Sequence, residues 1–384
     1  MTASSQISPS DGPTPRAGDA HVTALARALL DWFDSRERDV AWRHERDPYR
    51  IWVAEVMAQQ TRVGTVASYY ARFTERFPTV FALAEADLDE VLHVWQGLGY
   101  YARARHLHAA AGQIVERHGG EVPSDVEALR SLSGVGPYTA GAVASIAFGV
   151  AEPAVDGNAR RVISRLFDLE RSTPARLDTL ARSLVDAAVD RPAEMNQAIM
   201  DLGGSVCSPR RPACGDCPVS SGCRALAAGT VALRPPRREP RSSPIRTAAS
   251  AVVWRDGAVL FVRRPERGLL GGLWDFPGTK PEEGPVAPGD AGLVEELRDA
   301  HGIVIAPLEP AGEAFARIRH AFSHFHLELV LFETRWISGK AGSVDDQMAG
   351  SATGYAWVTP DRFEKFAVPA YLRSPLRSLG QGAR

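Results

Sequence analysis

A chain of 384 residues, 45% hydrophobic and 23% charged, has the make-up of an ordinary globular protein with roughly two or three domains. No apolar run is long enough to span a membrane, and residues 1–20, rich in Ser, Pro, Gly and Asp, lack the apolar core of a signal peptide, so a cytoplasmic location off the membrane is expected. The net charge of −2 neither requires nor excludes a nucleic-acid partner, because clustering of charge on one face is what matters.

We read residues 1–20 as a disordered tail. From His21 to Phe33 the residues Val22, Leu25, Ala26, Leu29, Leu30 and Phe33 recur at helical spacing. A loop with Trp42-Arg43 and Asp47-Pro48-Tyr49 follows, with Pro48 near the start of the next helix. That helix is predicted over Tyr49 to Arg62, with Trp52, Val56 and Met57 on its apolar side. Glu55 and Gln59 share another side at i, i+4 spacing. Further helices over Val66–Phe77 and Val80–Leu92 lead to the turn Gly97-Leu98-Gly99-Tyr100-Tyr101, then to a helix through His118.

Leu132 to Asn158 is the stretch around which the chain is organised. Gly134 and Gly136 are read as letting the backbone turn tightly and approach another molecule. The helix beginning near Thr139 and running to Phe148 would point free N–H groups at that molecule, which suits a phosphate. Val155-Asp156-Gly157-Asn158 then delivers a carboxylate beside it. Taken alone, the stretch is equally an αα turn followed by an Asp that caps the next helix.

The cysteines, Cys207, Cys214, Cys217 and Cys223, are spaced C-x6-C-x2-C-x5-C. In a cytosolic chain such a cluster is a metal site far more often than a pair of disulfides. Zinc sites of four cysteines usually come as two C-x2-C pairs, and only one is present. Unequal spacing around one point suits a [4Fe–4S] cluster. Arg210, Arg211 and Arg224 flank the loop and would offer positive charge to phosphates.

No strand alternation precedes about residue 245, so the chain is read as an all-α module over 21–230. Prolines and arginines alternate over 231–246, an extended linker. An α+β domain over 247–384 follows, with strands at Ala248–Trp254, Val259–Arg263, Ala314–Ile318, Phe325–Trp336 and Ala356–Val358. Its helical segments fall near Gly292–His301 and Pro360–Phe363.

These runs resemble the MutY-type adenine DNA glycosylases of the helix-hairpin-helix superfamily. The matching stretches are Trp42-Arg43, Asp47-Pro48-Tyr49, Trp52 through Arg62, Gly97 through Arg105, the glycine hairpin, Val155 through Asn158, and the cysteine loop. Ala54 and Ala58 depart from the Ser and Leu usual there. The resemblance implies a helix-hairpin-helix glycosylase module with an iron–sulfur loop at 207–223, followed by a Nudix-like domain. It implies that Glu55 protonates the departing adenine and that ionised Asp156 stabilises the sugar cation, with Tyr138 and Asn158 positioning Asp156. Two carboxylates in different environments suit this chemistry, and burial beside Trp52 and Val56 would raise the Glu55 pKa as an acid requires.

Bifunctional members carry a Schiff-base lysine where Tyr138 stands, and the first lysine of this chain is Lys280. The expected enzyme is therefore monofunctional and leaves an abasic site. Extruding a base leaves a gap to fill; Gln60 and Tyr100 match the family's wedging residues, and Arg43, Thr61, Arg62, Leu98, Gly134 and Gly136 are expected on the DNA. In the second domain, Gly272-Leu273-Trp274-Asp275-Phe276-Pro277-Gly278 resembles the approach to a Nudix box. The box itself, Glu295 to Gly302, has lost its Arg and its last Glu, leaving poor Mg2+ ligands. Phe322-Ser323-His324 resembles the family's loop for 8-oxoguanine. The implied partner is double-stranded DNA with adenine opposite 8-oxoguanine or guanine, engaged by a monomer at the nucleoid. The linker either binds replication or repair proteins or is a solvated spacer.

Overall fold

Side-chain caps set where the first helices begin. Asp19 accepts from the His21 N–H at the head of α1 (Ala20–Ser35), and Asp47, with Pro48 after it, accepts from Tyr49 at α2 (Pro48–Ala58). The computed structural model describes residues 19–36, 38, 40–236, 243–266, 268–283, 291–307, 314–339 and 354–382. Of the tail expected over 1–20, residues 1–18 lie outside the described residues, as do the linker residues 237–242, whereas Asp19 caps α1 and Ala20 begins it.

Helices α3 (Val63–Arg76), α4 (Val80–Glu85), α5 (Leu88–Trp95) and α6 (Ala102–His118) follow, then α7 (Val126–Arg130) and α8 (Pro137–Phe148). After them come α9 (Gly157–Leu166), α10 (Pro174–Asp186), α11 (Pro192–Ser205) and the short α12 (Arg224–Ala227). Two helices depart most from expectation. The Tyr49–Arg62 helix stops at Ala58, and Gln60 takes a left-handed φ of 56°. Val80–Leu92 divides into α4 and α5, with Asp87 in extended backbone at the α5 N-cap. No helix among the described residues is long and apolar enough to cross a membrane.

Packing divides the chain into one unit of Met1–Glu85 with His106–Glu239 and a second of Ala86–Arg105 with Pro240–Arg384. Ala86–Arg105, inside the stretch read as the all-α module, packs with the C-terminal residues. Asp89 accepts from Arg263 at 2.6 Å, Gln96 donates to the Val368 carbonyl at 3.1 Å, and Arg105 donates to that of Gly271 at 2.6 Å. In the first unit, α1, α9, α10 and α11 share one apolar core built on Leu29, Ile163, Leu180 and Ile199, against which Cys207, Cys217 and Cys223 pack.

The start of the expected linker is also fastened down. Val231–Leu233 forms a 3-10 turn, the buried Arg165 donates Nε–H to the carbonyls of Val231 and Arg234, and Arg234 pairs with Asp168 at 2.7 Å. A guanidinium taken out of water must find acceptors, and these carbonyls are among them.

The second unit is built on a mixed sheet of β1 (Ile245–Arg255), β2 (Ala258–Arg263), β3 (Trp274–Asp275), β4 (Glu282–Glu283), β5 (Ile303–Ile305), β6 (Ala316–Ala321), β7 (His326–Gly339) and β8 (Tyr355–Val358). Its spine runs β3-β2-β1-β7-β5, with β1 parallel to β7 and the other pairs antiparallel. Alternate residues of each strand face opposite sides. One face (Val252, Phe261, Leu329, Leu331) is covered by Phe363, Phe366 and α14 (Arg373–Gly382), and the other (Val253, Leu260, Val330, Phe332) by Leu293 and Leu297 of α13 (Ala291–His301). Strands of two or three residues carry no readable alternation, which is why β3, β4 and β5 leave no signal in the sequence.

Candidate active site

The hairpin turn between α7 and α8 needs only one of its two glycines for conformation. Gly134 has φ +74°, and a Cβ there would lie 2.5 Å from the His106 Cβ. Gly136 is extended, with φ −90° and ψ 179°, and a Cβ there would meet nothing within 4 Å. The reading of both as turn glycines is corrected accordingly. Gln113 accepts from the Ser133 N–H at 2.8 Å and His106 Nδ1 lies 2.9 Å from Ser133 Oγ, which fixes the turn against α6. Gly136 then caps α8, and Pro137, lacking an N–H, opens it.

α8 presents Tyr138, whose hydroxyl donates to Glu55 Oε2 at 2.6 Å and lies 3.6 Å from Met200 Sδ. Glu55 stands on α2 and is only 7% exposed. Burial pushes its carboxyl above the ordinary value; the Tyr138 hydrogen bond and the Arg43 guanidinium pull it down, and the Asp156 charge pushes it up. Burial, and then Glu55 itself, hold the Tyr138 phenol well above its usual value.

Asp156 is both a helix cap and a site carboxylate. It stands at the N-cap of α9, where Oδ1 accepts from the Ala159 N–H at 2.6 Å and Oδ2 from Asn158 Nδ2 at 3.0 Å. Burial raises its pKa, against these hydrogen bonds and Arg161. Arg161 in turn donates to Asn158 Oδ1 and to the carbonyls of Gly203 and Cys207. Asn158 thus meets Asp156 as expected, whereas Tyr138 meets Glu55 instead. The α2–α8 join is reinforced by Gln59, whose Nε2 donates to Thr139 Oγ1 at 3.0 Å.

One cleft collects Gln60, Thr61 and Arg62 after α2, Gly134, Gly136 and Tyr138 of the hairpin, and Asp156 and Asn158. Arg43 is not at the surface. Its side chain is 9% exposed and pairs with Asp201 at 2.5 Å and with Gln197, and its charge bears on Glu55. Leu98, expected on DNA, is 6% exposed and belongs to the core; Tyr100, in the same second unit, is exposed with φ 49°. At the tip of the β6–β7 hairpin, Ser323 and His324 are exposed, while Phe322 stacks on Phe325 with centroids 4.7 Å apart.

The cysteines line one cavity together with Arg165, whose Nη1 lies 3.2 Å from Cys207 Sγ. All four are free thiols. Among the described residues no group of three or more His, Cys, Asp or Glu is arranged to hold a single metal ion.

Sequence reasoning missed Asn196, Gln197, Met200 and Asp201, four residues of α11 that face this region. Their signal was a helix whose polar residues interrupt an apolar face: Asn196 is 2% exposed and Asp201 7%.

Comparison with known proteins agrees with this arrangement. A family described as HhH-GPD superfamily base excision DNA repair protein matches residues 53–187, and a NUDIX domain family matches residues 249–377. The chain is 36% identical to an adenine DNA glycosylase of Homo sapiens over 417 residues, covering 93% of this chain and 74% of the relative. It is 41% identical over 214 residues to one of Mycolicibacterium smegmatis, covering 54% and 72%. Among solved structures, a thermostable thymine-DNA glycosylase superposes with a TM-score of 0.51 at 29% identity, covering 55% of this chain and 99% of that one. With Tyr138 and Asp156 lining one cleft, Glu55 buried against Tyr138, and relatives this similar over nearly its whole length, the chain belongs to the adenine DNA glycosylases, hydrolases of N-glycosyl bonds in base excision repair.

Proposed function

We propose that the enzyme removes adenine mispaired with 8-oxoguanine or guanine and leaves an abasic site without cutting the strand. The observation that carries this reading is the 2.6 Å hydrogen bond to a buried Glu55 from Tyr138, which lines the same cleft as Asp156. The flipped adenine enters the cleft, and Glu55, whose pKa burial raises as a proton donor requires, gives its proton to a ring nitrogen of the base. The C–N bond breaks with its electron pair leaving on the now neutral adenine. Asp156, held by Asn158 and Ala159, faces the developing sugar cation with negative charge, and water completes the hydrolysis at the sugar carbon. Tyr138, a hydrogen-bond donor to the acid, supplies no amine for a Schiff base.

Gln60 fills the stack vacated by the base, with Thr61 and Arg62 beside it, and the free N–H groups of α8 take a backbone phosphate. Tyr100 is the second wedge. Ser323 and His324 read the opposing 8-oxoguanine from the hairpin tip. The donor set fits a [4Fe–4S] cluster, since the four thiols line a common cavity beside the buried Arg165 cation, which offsets thiolate charge. Cys207, Cys214, Cys217 and Cys223 would hold it, and when bound it supplies cross-linking of the loop. Arg210 and Arg211 are exposed on that loop, placed for phosphates.

The test is excision from duplexes with adenine opposite 8-oxoguanine, guanine, cytosine or thymine, read as alkali-labile cuts. Cuts confined to the first two are expected, and Glu55→Gln and Asp156→Asn should each abolish them. Cleavage before alkali, trapped by borohydride, would refute the monofunctional assignment.

A further inference from the structure

Between the end of α8 at Phe148 and the cap of α9 at Asp156, residues 149–156 form no regular structure. The peptide groups of such a segment need partners from elsewhere when they are buried. One side chain supplies several of them. Asn196, 2% exposed on α11, accepts at Oδ1 from the Ala154 N–H at 2.9 Å. Its Nδ2 donates to the Glu152 carbonyl and to Ser145 Oγ, each at 2.9 Å. An asparagine amide has one acceptor and two N–H donors, and all three are engaged here.

Those bonds join the approach to Asp156 with the helix that bears Tyr138. Ser145 belongs to α8, and its own hydroxyl donates to the Gly141 carbonyl at 2.7 Å. The other side of the segment rests directly on α8, where a Cβ on Gly141 would come within 2.1 Å of the Pro153 carbonyl oxygen. By contrast, the bonds from Asn158 and Ala159 fix the Asp156 carboxylate only relative to α9. Something else must set where the head of α9 lies against Tyr138 and Glu55.

We propose that Asn196 is a positioning residue for the glycosidic cleavage, setting the Asp156 carboxylate against the Glu55–Tyr138 pair through the backbone of residues 152–154. The proposal rests on the roles assigned above to Asp156 and Glu55. Removing the amide leaves two peptide groups and a hydroxyl without their partner, and the segment relaxes. A shift of about 1 Å in a catalytic group costs on the order of a hundredfold in rate.

The experiment compares single-turnover excision of adenine opposite guanine with the Kd for the same duplex carrying 2′-fluoro-2′-deoxyadenosine, using the full chain. Asn196→Ala should slow excision about 30- to 100-fold while Kd changes by less than about threefold. Ser145→Ala, which removes one of the three bonds, should slow it several-fold, and the double variant should be no slower than Asn196→Ala alone. An Asn196→Ala rate within threefold of wild type, or equal losses in rate and binding, would overturn the proposal. If Asn196→Ala does not fold, Ser145→Ala decides: a slower rate at unchanged Kd supports the role and an unchanged rate refutes it. Asp156→Asn run alongside separates the two levels, because a protein that still cleaves with that substitution overturns the catalytic assignment itself.

Discussion

Glu55 is an acid by virtue of where it is held. Burial raises its pKa from the usual 4.5, and the Tyr138 hydrogen bond is the main opposing influence. Tyr138→Phe removes that opposition, so the folded-state pKa rises further. The alkaline limb of the excision rate against pH, which on the proposed mechanism marks loss of the Glu55 proton, should move to higher pH in this variant. The same shift bears on stability. A carboxyl whose folded pKa is raised favours folding fully below its unfolded value and loses that contribution as pH rises through the folded one. Glu55→Gln, which cannot ionise, should therefore melt above wild type at neutral pH, the gap closing in acid; a thermal melt at several pH values checks this. At the hairpin tip, if Ser323 reads the lesion as proposed, Ser323→Ala removes one hydrogen bond to it, worth about a tenfold preference. Competition between duplexes with 8-oxoguanine and guanine opposite adenine should show that preference fall while excision opposite guanine persists.

The hairpin before α8 shows what a short element requires of its residues. Gly134→Ala forces a left-handed φ on a residue with a Cβ and drives that atom into His106, so it should cost about 1–3 kcal/mol. Gly136→Ala meets neither obstacle and should stay within about 0.5 kcal/mol of wild type. Urea denaturation of the two variants separates the conformational glycine from the permissive one. Two glycines two residues apart look alike in a sequence; only φ and the nearest atom distinguish them. Helix existence was legible here because α1 and α3 show their apolar faces at helical spacing, and Asp47-Pro48 announces α2. The end of α2 was not, since Gln59, Gln60 and Thr61 continue a helix-compatible run, which Gln59 leaves at ψ 119° and Gln60 at a left-handed φ. That break frees Gln59 to reach Thr139.

At the scale of the molecule, sequence order and packing order differ. Ala86–Arg105 lies inside the helical stretch of the sequence yet packs with the sheet domain, through Asp89 with Arg263 and Gln96 with Val368. Amide hydrogen exchange in α5 should accordingly follow β1 and β2, and Asp89→Ala, which strips Arg263 of its carboxylate, should quicken exchange in 88–95 and 263–275 together. Exchange in α5 that ignored this substitution would count against the shared unit. The sequence by itself determined the two kinds of domain, the cysteine loop and the residues Glu55, Tyr138 and Asp156, because periodicity, spacing and motif are properties of neighbours along the chain. The tertiary structure alone decided that Tyr138 serves Glu55 and not Asp156, that Arg43 and Leu98 are withdrawn from the surface, and that Asn196 holds the approach to Asp156. Each of these depends on residues brought together from distant positions, where burial and the demand of every buried polar group for a partner select the contact.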